Sequence, residues 1–377
     1  MTKRGKRLGS LHNGNTITVL FVLNNRYTAF PGNPMTGPLT WCVYRTNWLL
    51  LETSRVFVGM LFDPCRDIVL VTGGSSGLGK ELASAFRQKG ATVVVFDINL
   101  PGKDNQNYVE GVHYYYCDVS NPDMVKERGN EVRMEVGQVT VLINNAGITT
   151  GNTLLNLSFD EIETTLAVNL LSSFYTIKTF LPGMLDKRRG YIVTIASTLG
   201  YMSPARLSVY GASKSGLITL HESLNYELGP PTFNTCGVKT LLVCPGQLKT
   251  YLFGGVRTPS TLFAPELDPR YVANHVIRAV SYGCRGEVKL PFYGNVLPIF
   301  RSIPWPAVAI LRYISGINNT MKKFVQKARE TTNMSTSFMA EKASMFSRMF
   351  PFSGATQESM SETPQPLGGR DHQLKTS

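Results

Sequence analysis

Tyr210 and Lys214 stand four residues apart in the run Val209-Tyr-Gly-Ala-Ser-Lys214. Side chains at i and i+4 share one face of a helix, so the Lys214 ammonium would lie close enough to favour tyrosinate and to lower the pKa of Tyr210 from its usual value of about 10. Such a tyrosine can exchange a proton at neutral pH. The pair therefore predicts redox chemistry at an alcohol or carbonyl carbon, although the same spacing also fits an ordinary solvated helix.

A glycine-rich turn lies upstream, between an apolar run of strand length at 67–71 and a predicted helix. In this turn Gly73 would allow the tight bend, Gly77 would let the backbone approach a pyrophosphate, and Gly79 would allow close helix packing. The amides at the N-terminus of the helix would face the phosphates. The order of strand, turn and helix predicts a dinucleotide-binding site.

An acidic residue, Asp97, follows the next apolar strand at 91–96. A carboxylate there can accept hydrogen bonds from the adenosine ribose hydroxyls and repel a 2′-phosphate. The glycine-rich turn brings no cation to such a phosphate, although Lys80 and Arg87 lie on the following helix. We therefore expect NAD(H) to be the preferred cofactor, with NADP(H) as the alternative.

Further motifs follow in order along the chain: Cys117-Asp-Val-Ser120, Asn144-Asn-Ala-Gly147 and Pro245-Gly246, with Thr250 after it. Together with the glycine-rich turn and the Tyr210 segment, they resemble the short-chain dehydrogenase/reductase family of the single-domain type, from about residue 66 to about residue 291. The chain is most similar to the membrane-associated retinol and 17β-hydroxysteroid dehydrogenase-like members. The resemblance implies an α/β fold, a doubly wound and mainly parallel Rossmann sheet with helices on both faces.

The resemblance also implies the residues of the site. The catalytic tetrad would be Asn169, Ser197, Tyr210 and Lys214. The cofactor would contact Thr72, Gly73, Ser75, Ser76, Gly77, Leu78, Gly79, Asp97, Asp118, Val119, Asn145, Ala146, Gly147, Tyr210, Lys214, Pro245, Gly246, Leu248 and Thr250. Ser197 is preferred to Thr198 because successive side chains of an extended segment point to opposite faces, so the two cannot aim at one substrate oxygen.

In the family's chemistry, Tyr210 would exchange a proton with the substrate while a hydride moves to or from the nicotinamide. Ser197 would aim its hydroxyl at the substrate oxygen, and Lys214 would lower the pKa of Tyr210 and hold the nicotinamide ribose. Asn169 would hold a water that passes the proton to solvent. Asn169 lies in a predicted helix that begins near residue 159, where Ser158 and Glu161 predict a capping box.

Composition limits the other functions. Of 377 residues, 43% are hydrophobic and 17% are charged, which is enough to bury a substantial core. The six cysteines are scattered and the five histidines form no ligand pattern, so we expect reduced thiols and no metal site. The net charge of +12 arises from basic residues gathered in the flanks, without a stripe of interleaved aromatics, which argues against a nucleic-acid partner.

The N-terminal extension would comprise residues 1–65. Its segment 39–62 is long enough to span a bilayer but carries Arg45, Glu52 and Arg55. These charges predict an interfacial amphipathic or membrane-associated helix, with a helix packed on the catalytic domain as the alternative.

The catalytic domain would comprise residues 66–290, and the chain continues beyond it. Residues 291–330 are apolar, are interrupted by prolines and end in a basic helix. They predict a membrane-associated hairpin, a substrate-entry lid, or both. Residues 331–377 are rich in polar residues without periodicity and predict a largely disordered tail.

These features predict an NAD(H)-dependent oxidoreductase that interconverts an alcohol and its carbonyl on a lipophilic molecule such as a retinoid, a steroid or another lipid. We expect it at the cytosolic face of the endoplasmic reticulum or on lipid droplets. The resemblance also implies a homodimer. The competing interpretation is a catalytically silent NAD(P)-binding scaffold or a membrane-interaction protein. A sugar-nucleotide epimerase is disfavoured by the glycine spacing and the Asn-Asn-Ala-Gly turn.

Overall fold

The computed structural model describes residues 62–229, 236–253, 264–315 and 317. Seven strands form one parallel sheet in the order β3-β2-β1-β4-β5-β6-β7. The strands are β1 (Ile68–Thr72), β2 (Thr92–Asp97), β3 (Val112–Tyr116), β4 (Val141–Asn144), β5 (Gly190–Ile195), β6 (Val238–Pro245) and β7 (Gly286–Leu290). The prediction of a doubly wound α/β sheet is confirmed.

Helices cover both faces of the sheet. They are α1 (Gly77–Gln88), α2 (Pro122–Glu135), α3 (Phe159–Leu166), α4 (Ser172–Asp186), α5 (Ser208–Glu227), α6 (Pro269–Ser281), α7 (Leu297–Phe300) and α8 (Trp305–Ser315). In β1 the period of two sends Val69 and Val71 to the face covered by α1 and α6, and Leu70 to the face covered by α2, α4 and α5. Because both faces are buried, the central strands are mostly apolar, with Asn144, Thr194, Lys239 and Thr240 among the exceptions.

The strand order reverses at β1, which pairs with β2 on one side and with β4 on the other. In an open α/β sheet the loops on the two sides of this point diverge, so a crevice opens beyond the carboxyl ends of the strands. The glycine-rich turn, Asp97 and the Asn-Asn-Ala-Gly turn all follow carboxyl ends here. The topology therefore brings the predicted cofactor residues to one edge.

The helix that carries Asn169 begins as predicted. Ser158 caps α3, and the Ser158 and Glu161 side chains bond reciprocally to the backbone, so the capping box is confirmed. Asn169 itself lies in a π-helical turn, Ala167–Leu171, between α3 and α4. Such wide turns inside helices often occur at functional sites.

The chain after β7 turns back onto the catalytic domain through a 3₁₀ turn, Phe292–Asn295, followed by α7 and α8. Within the residues described, no helix is long and apolar enough to cross a membrane. All but the last residue of the predicted helix 39–62 lies outside the described residues, as do the basic residues after 317 and the predicted tail 331–377. Those predictions, and the domain limits, stay predictions.

Candidate active site

A cavity of about 980 Å³ opens at the carboxyl ends of the strands. The cofactor residues predicted from the sequence lie along one side of it, the predicted catalytic residues lie in its middle, and apolar side chains form the other side. The predicted residues that line the cavity are Gly73, Ser76, Gly77, Leu78, Asp97, Asp118, Val119, Asn145, Ala146, Gly147, Ser197, Tyr210, Lys214, Pro245, Gly246, Leu248 and Thr250. Thr72, Ser75, Gly79 and Asn169 do not line it and lie behind the wall.

The glycine-rich turn is shaped by close backbone contacts. Gly73 has a φ of +62°, and a Cβ atom added at Gly79 would lie 2.0 Å from the carbonyl oxygen of Gly73. Thr72 fixes the neighbouring turn, because its hydroxyl accepts hydrogen bonds from the amides of Asn145 (3.0 Å) and Ala146 (3.1 Å). Thr72 and Gly79 therefore shape the wall from behind it.

The turn has free polar groups that suit a pyrophosphate. Helix α1 begins at Gly77, and its N-cap, Ser76, makes no side-chain capping hydrogen bond. The Ser75 hydroxyl oxygen is buried and has no hydrogen-bond partner among the described residues. Uncapped helix amides and a buried hydroxyl next to a cavity match the donors that phosphate oxygens need. The residues present thus fit a dinucleotide.

Asp97 lines the cofactor side of the cavity. Its carboxylate accepts hydrogen bonds from the amides of Ser75 (3.0 Å) and Asn99 (3.0 Å), so it also braces the glycine-rich turn. Asp118, farther along the same side, accepts from the amide (2.9 Å) and the hydroxyl (2.7 Å) of Ser120. Both carboxylates are held in place before any ligand binds.

The predicted proton-transfer residues come from two elements. Tyr210 lies on α5, whereas Ser197 follows β5 and donates from its hydroxyl to the carbonyl of Pro245 at 3.3 Å. Phe253 packs its ring edge-on to the Tyr210 ring, with the centroids 5.5 Å apart. Burial raises the pKa of Tyr210 to about 12, against a smaller lowering by its hydrogen bond to Ser197.

Lys214 does not lower the pKa of Tyr210 in this structure, contrary to the expectation from spacing. The Lys214 Nζ atom lies 5.7 Å from the centroid of the Tyr210 ring and donates to the carbonyl of Ile195 at 3.0 Å. Burial lowers the pKa of Lys214 itself to about 8. Removal from water is the main cause of both pKa shifts, which the spacing alone does not reveal.

Asn169 is 1% exposed, and its amide is used by the protein. Its Oδ1 accepts from the amide of Ile148 (2.7 Å), and its Nδ2 donates to the carbonyl of Ile148 (2.9 Å) and to the hydroxyl of Ser213 (3.2 Å). The Ser213 hydroxyl donates in turn to the carbonyl of Tyr210 at 2.7 Å. Asn169 thus connects the wall of the cavity to α5 rather than facing the cavity.

The other side of the cavity was not predicted residue by residue. Its apolar members come from the loop after Ser197, the segment around Phe253 and the extension after β7. They are Leu199, Met202, Pro204, Leu207, Leu252, Phe253, Leu297, Phe300, Ile314 and Ile317. The sequence showed an apolar extension, but no local signal showed that it would fold back over the catalytic residues.

Two arginines attach the extension to the loop between Ser197 and Tyr210. Arg301 donates to the carbonyls of Tyr201 (2.9 Å) and Gly200 (2.7 Å), and Arg312 donates to the carbonyl of Ser203 (2.5 Å). Hydrogen bonds from a charged donor are stronger than neutral ones. The wall formed by α7 and α8 is therefore fixed relative to the catalytic loop.

Comparison with known proteins gives one consistent result. The model of the family described as short chain dehydrogenase matches residues 67–260. Over 252 residues the chain is 37% identical to a Saccharomyces cerevisiae protein named uncharacterized oxidoreductase YDL114W, with 66% of this chain and 82% of the yeast protein covered. Over 319 residues it is 33% identical to retinol dehydrogenase 10 of Homo sapiens, with 76% and 91% covered.

Solved structures agree with the sequence relatives. The ligand-free aldohexose dehydrogenase of Thermoplasma acidophilum superimposes with a TM-score of 0.54 at 25% sequence identity. The match covers 61% of this chain and 94% of that one. The shared part is thus nearly the whole of the Thermoplasma protein and about three fifths of this chain.

Proposed function

The chain belongs to the short-chain dehydrogenase family and is an oxidoreductase that acts on alcohols with a nicotinamide dinucleotide, and from this premise we propose that it uses NAD(H) to interconvert a lipophilic alcohol and its carbonyl. The observation that carries this proposal is the apolar wall opposite the cofactor side of the cavity. A wall of this kind binds ligands by removing apolar surface from water.

The chemistry of the wall supports a lipophilic substrate. Its residues are leucine, isoleucine, methionine, proline and phenylalanine, drawn from three separate segments. A sugar or a charged metabolite would lose more hydration there than the few polar groups of the wall could replace by hydrogen bonds. One of the relatives, retinol dehydrogenase 10, is named for an apolar alcohol.

The preference for NAD(H) rests on Asp97. Its carboxylate lies on the cofactor side, where it would accept from ribose hydroxyls and repel an added phosphate. Lys80 follows directly after the glycine-rich turn and is the residue most able to weaken this preference.

The proposed reaction divides its tasks among the residues in the middle of the cavity. When bound, the nicotinamide supplies or accepts the hydride. Tyr210 exchanges the proton with the substrate oxygen, and Ser197 hydrogen-bonds to that oxygen. Because burial keeps Tyr210 protonated, it is ready to donate a proton when a carbonyl is reduced. Lys214 holds the nicotinamide ribose.

Membrane attachment is part of the proposal. Helix α8 contains no acidic residue and exposes large apolar side chains, with Trp305 79% and Tyr313 88% exposed. Basic residues follow it at 322–329. An apolar helix followed in the sequence by basic residues suits the interface of an anionic membrane, such as the cytosolic face of the endoplasmic reticulum or the surface of a lipid droplet.

Flotation with vesicles of phosphatidylcholine and phosphatidylserine tests the attachment. The full chain is expected to float, and the variant Trp305→Ser/Ile310→Ser/Tyr313→Ser is expected to stay in the dense fraction. Leu155→Ser is the control, because Leu155 is 97% exposed but lies away from α8 in the sequence. Equal flotation of the triple variant and the full chain would remove α8 from the proposal.

The reaction is tested by NADH formation with a panel of retinoids, steroids and long-chain alcohols. Wild type is expected to oxidise at least one class, and Tyr210→Phe is expected to lose that activity while it still binds NADH. Tyr226→Phe is the matched control, because Tyr226 lies on the same helix and is 75% exposed. Wild type that binds NADH but oxidises none of these alcohols would contradict the proposed substrate class.

A further inference from the structure

Two hydroxyl groups that the proposed reaction does not use lie on the substrate side of the cavity. Tyr293, in the 3₁₀ turn after β7, and Thr198, directly after Ser197, both line the cavity. The Tyr293 hydroxyl lies 3.5 Å from Thr198 Oγ1. The neighbouring wall residues Leu199, Leu297 and Phe300 are apolar. The pair is therefore a polar spot in an apolar surface.

The spot lies beside the place where the reacting oxygen would bind. Ser197 Oγ donates to the carbonyl of Pro245. The residue after Ser197 is Thr198, whose hydroxyl meets that of Tyr293. A Cβ atom added at Gly246 would lie 2.6 Å from the Tyr293 hydroxyl oxygen. The Tyr293 hydroxyl therefore adjoins Thr198, which follows Ser197, and Gly246, which follows Pro245.

The two hydroxyls have hydrogen-bonding capacity to spare. Each has one donor and two acceptor positions, and among the described residues their hydroxyls share one hydrogen bond, whose length is at the outer limit for hydroxyl groups. The Thr198 side chain is fully buried, whereas the Tyr293 side chain is partly exposed, so Tyr293 presents the pair to the cavity. Burial raises the pKa of Tyr293, although the Thr198 hydrogen bond opposes this, so the phenol keeps its proton at neutral pH.

We propose that Tyr293 and Thr198 form a subsite for a second oxygen of the substrate, a hydroxyl or a carbonyl near the carbon that is oxidised or reduced. This inference rests on the proposed function and sharpens it. The substrate would be a lipophilic molecule with two neighbouring oxygens rather than a simple long-chain alcohol. Tyr293 lies beyond residue 260, where the match to the family model ends, whereas Thr198 lies within the match, so the extension supplies one of the two hydroxyls.

The test compares a twelve-carbon alcohol with twelve-carbon diols whose hydroxyls lie on neighbouring or next-neighbouring carbons. Wild type is expected to prefer one of the diols by about 10- to 100-fold in kcat/KM, because a site built to bond a hydroxyl rejects the analogue that lacks it. Tyr293→Phe is expected to remove this preference, because kcat/KM falls more for the diol than for the simple alcohol.

Thr198→Val provides a second variant of nearly the same shape. It is expected to reduce the same ratio, and Tyr293→Phe/Thr198→Val is expected to lose no more than Tyr293→Phe alone, because Thr198 acts by orienting the Tyr293 hydroxyl. Tyr226→Phe and Thr219→Val are matched controls on exposed positions of α5. NADH affinity and thermal midpoint, measured for every variant, show whether the cofactor side and the fold remain intact.

The outcomes separate this inference from the proposed function. If wild type oxidises the probes without preferring a diol, or if the preference survives in Tyr293→Phe, the subsite is wrong and the lipophilic substrate stands. If wild type oxidises none of the probes and none of the alcohol panel, the substrate class is wrong and the subsite falls with it. A diol preference that is lost in both single variants supports the subsite.

Discussion

The cofactor side and the substrate side of the cavity are constructed differently. The cofactor side consists of short turns at the ends of β1, β2 and β4, where Gly79 and Gly73 leave no room for a side chain and Thr72 bonds to backbone amides. The substrate side consists of apolar side chains from the loop after Ser197 and from α7 and α8, segments about 100 residues apart in sequence.

This difference explains why cofactor specificity is visible in the sequence and substrate specificity is not. A site made from backbone needs particular small residues at fixed spacings, so it leaves a motif in the sequence. A site made from apolar side chains tolerates many residues of similar volume, so it leaves only a general apolar character. The cofactor follows from a motif, whereas the substrate depends on how distant segments pack.

The largest effect is expected on the cofactor side, from Gly79→Ala. The new Cβ atom would lie 2.0 Å from the Gly73 carbonyl oxygen, and backbone cannot move aside as a flexible side chain can. NADH affinity is expected to fall by more than about 100-fold, with a loss of about 1–3 kcal/mol of stability. Gly102→Ala is the control, because nothing lies within 4 Å of the added atom there. Cofactor titration measures the NADH affinity, and urea unfolding measures the stability. Similar NADH affinity in Gly79→Ala and Gly102→Ala would contradict the steric role of Gly79.

The second effect concerns pH, since Tyr210 stands between the two sides. With a pKa of about 12 for Tyr210 and about 8 for Lys214, both groups are protonated at pH 7. Oxidation needs deprotonated Tyr210, so its kcat/KM is expected to rise about tenfold per pH unit between about pH 6 and pH 8. Reduction uses protonated Tyr210, so kcat/KM for reduction is expected to stay constant until Lys214 loses its proton at about pH 8. Initial rates in both directions test this, and an oxidation rate independent of pH would rule out Tyr210 as a buried base.

A third, smaller effect is expected on the substrate side, from Arg301→Gln. The variant loses the bonds to the carbonyls of Gly200 and Tyr201, so the wall formed by α7 is no longer held against the catalytic loop. For long-chain alcohols kcat/KM is expected to fall about tenfold, and NADH affinity is expected to stay the same. Short alcohols, which do not reach Phe300, are expected to be less affected. Arg133→Gln, at an exposed position of α2, is the control, and an equal loss for short and long alcohols would contradict a role for Arg301 in the wall.

The smallest effect is expected from Asp97→Asn. The amide keeps one oxygen acceptor for the turn but removes the negative charge that would repel a 2′-phosphate. The ratio of kcat/KM for NADP to that for NAD is expected to rise about five- to tenfold. Asp104→Asn is the control, because Asp104 lies exposed in the loop that follows. An unchanged ratio would show that cofactor choice does not depend on Asp97.

The order and type of the core elements could be read from the sequence because they depend on local patterns. The capping box at Ser158 is as predicted. The π-helical turn at Asn169 and the raised pKa of Tyr210 could not be read, because both depend on packing between α5 and its neighbours. Spacing places Lys214 near Tyr210, but only burial decides the direction of the pKa shift.

The sequence by itself determined the family, the sheet and the backbone turns that suit a dinucleotide, since glycine positions and strand periodicity are local properties of the chain. Only the tertiary structure decided that the extension after β7 forms a wall of the cavity. It also decided that Arg301 and Arg312 hold that wall and that Tyr293 meets Thr198 across it. These contacts join residues about 100 positions apart, and no periodicity within either segment specifies its partner in the other.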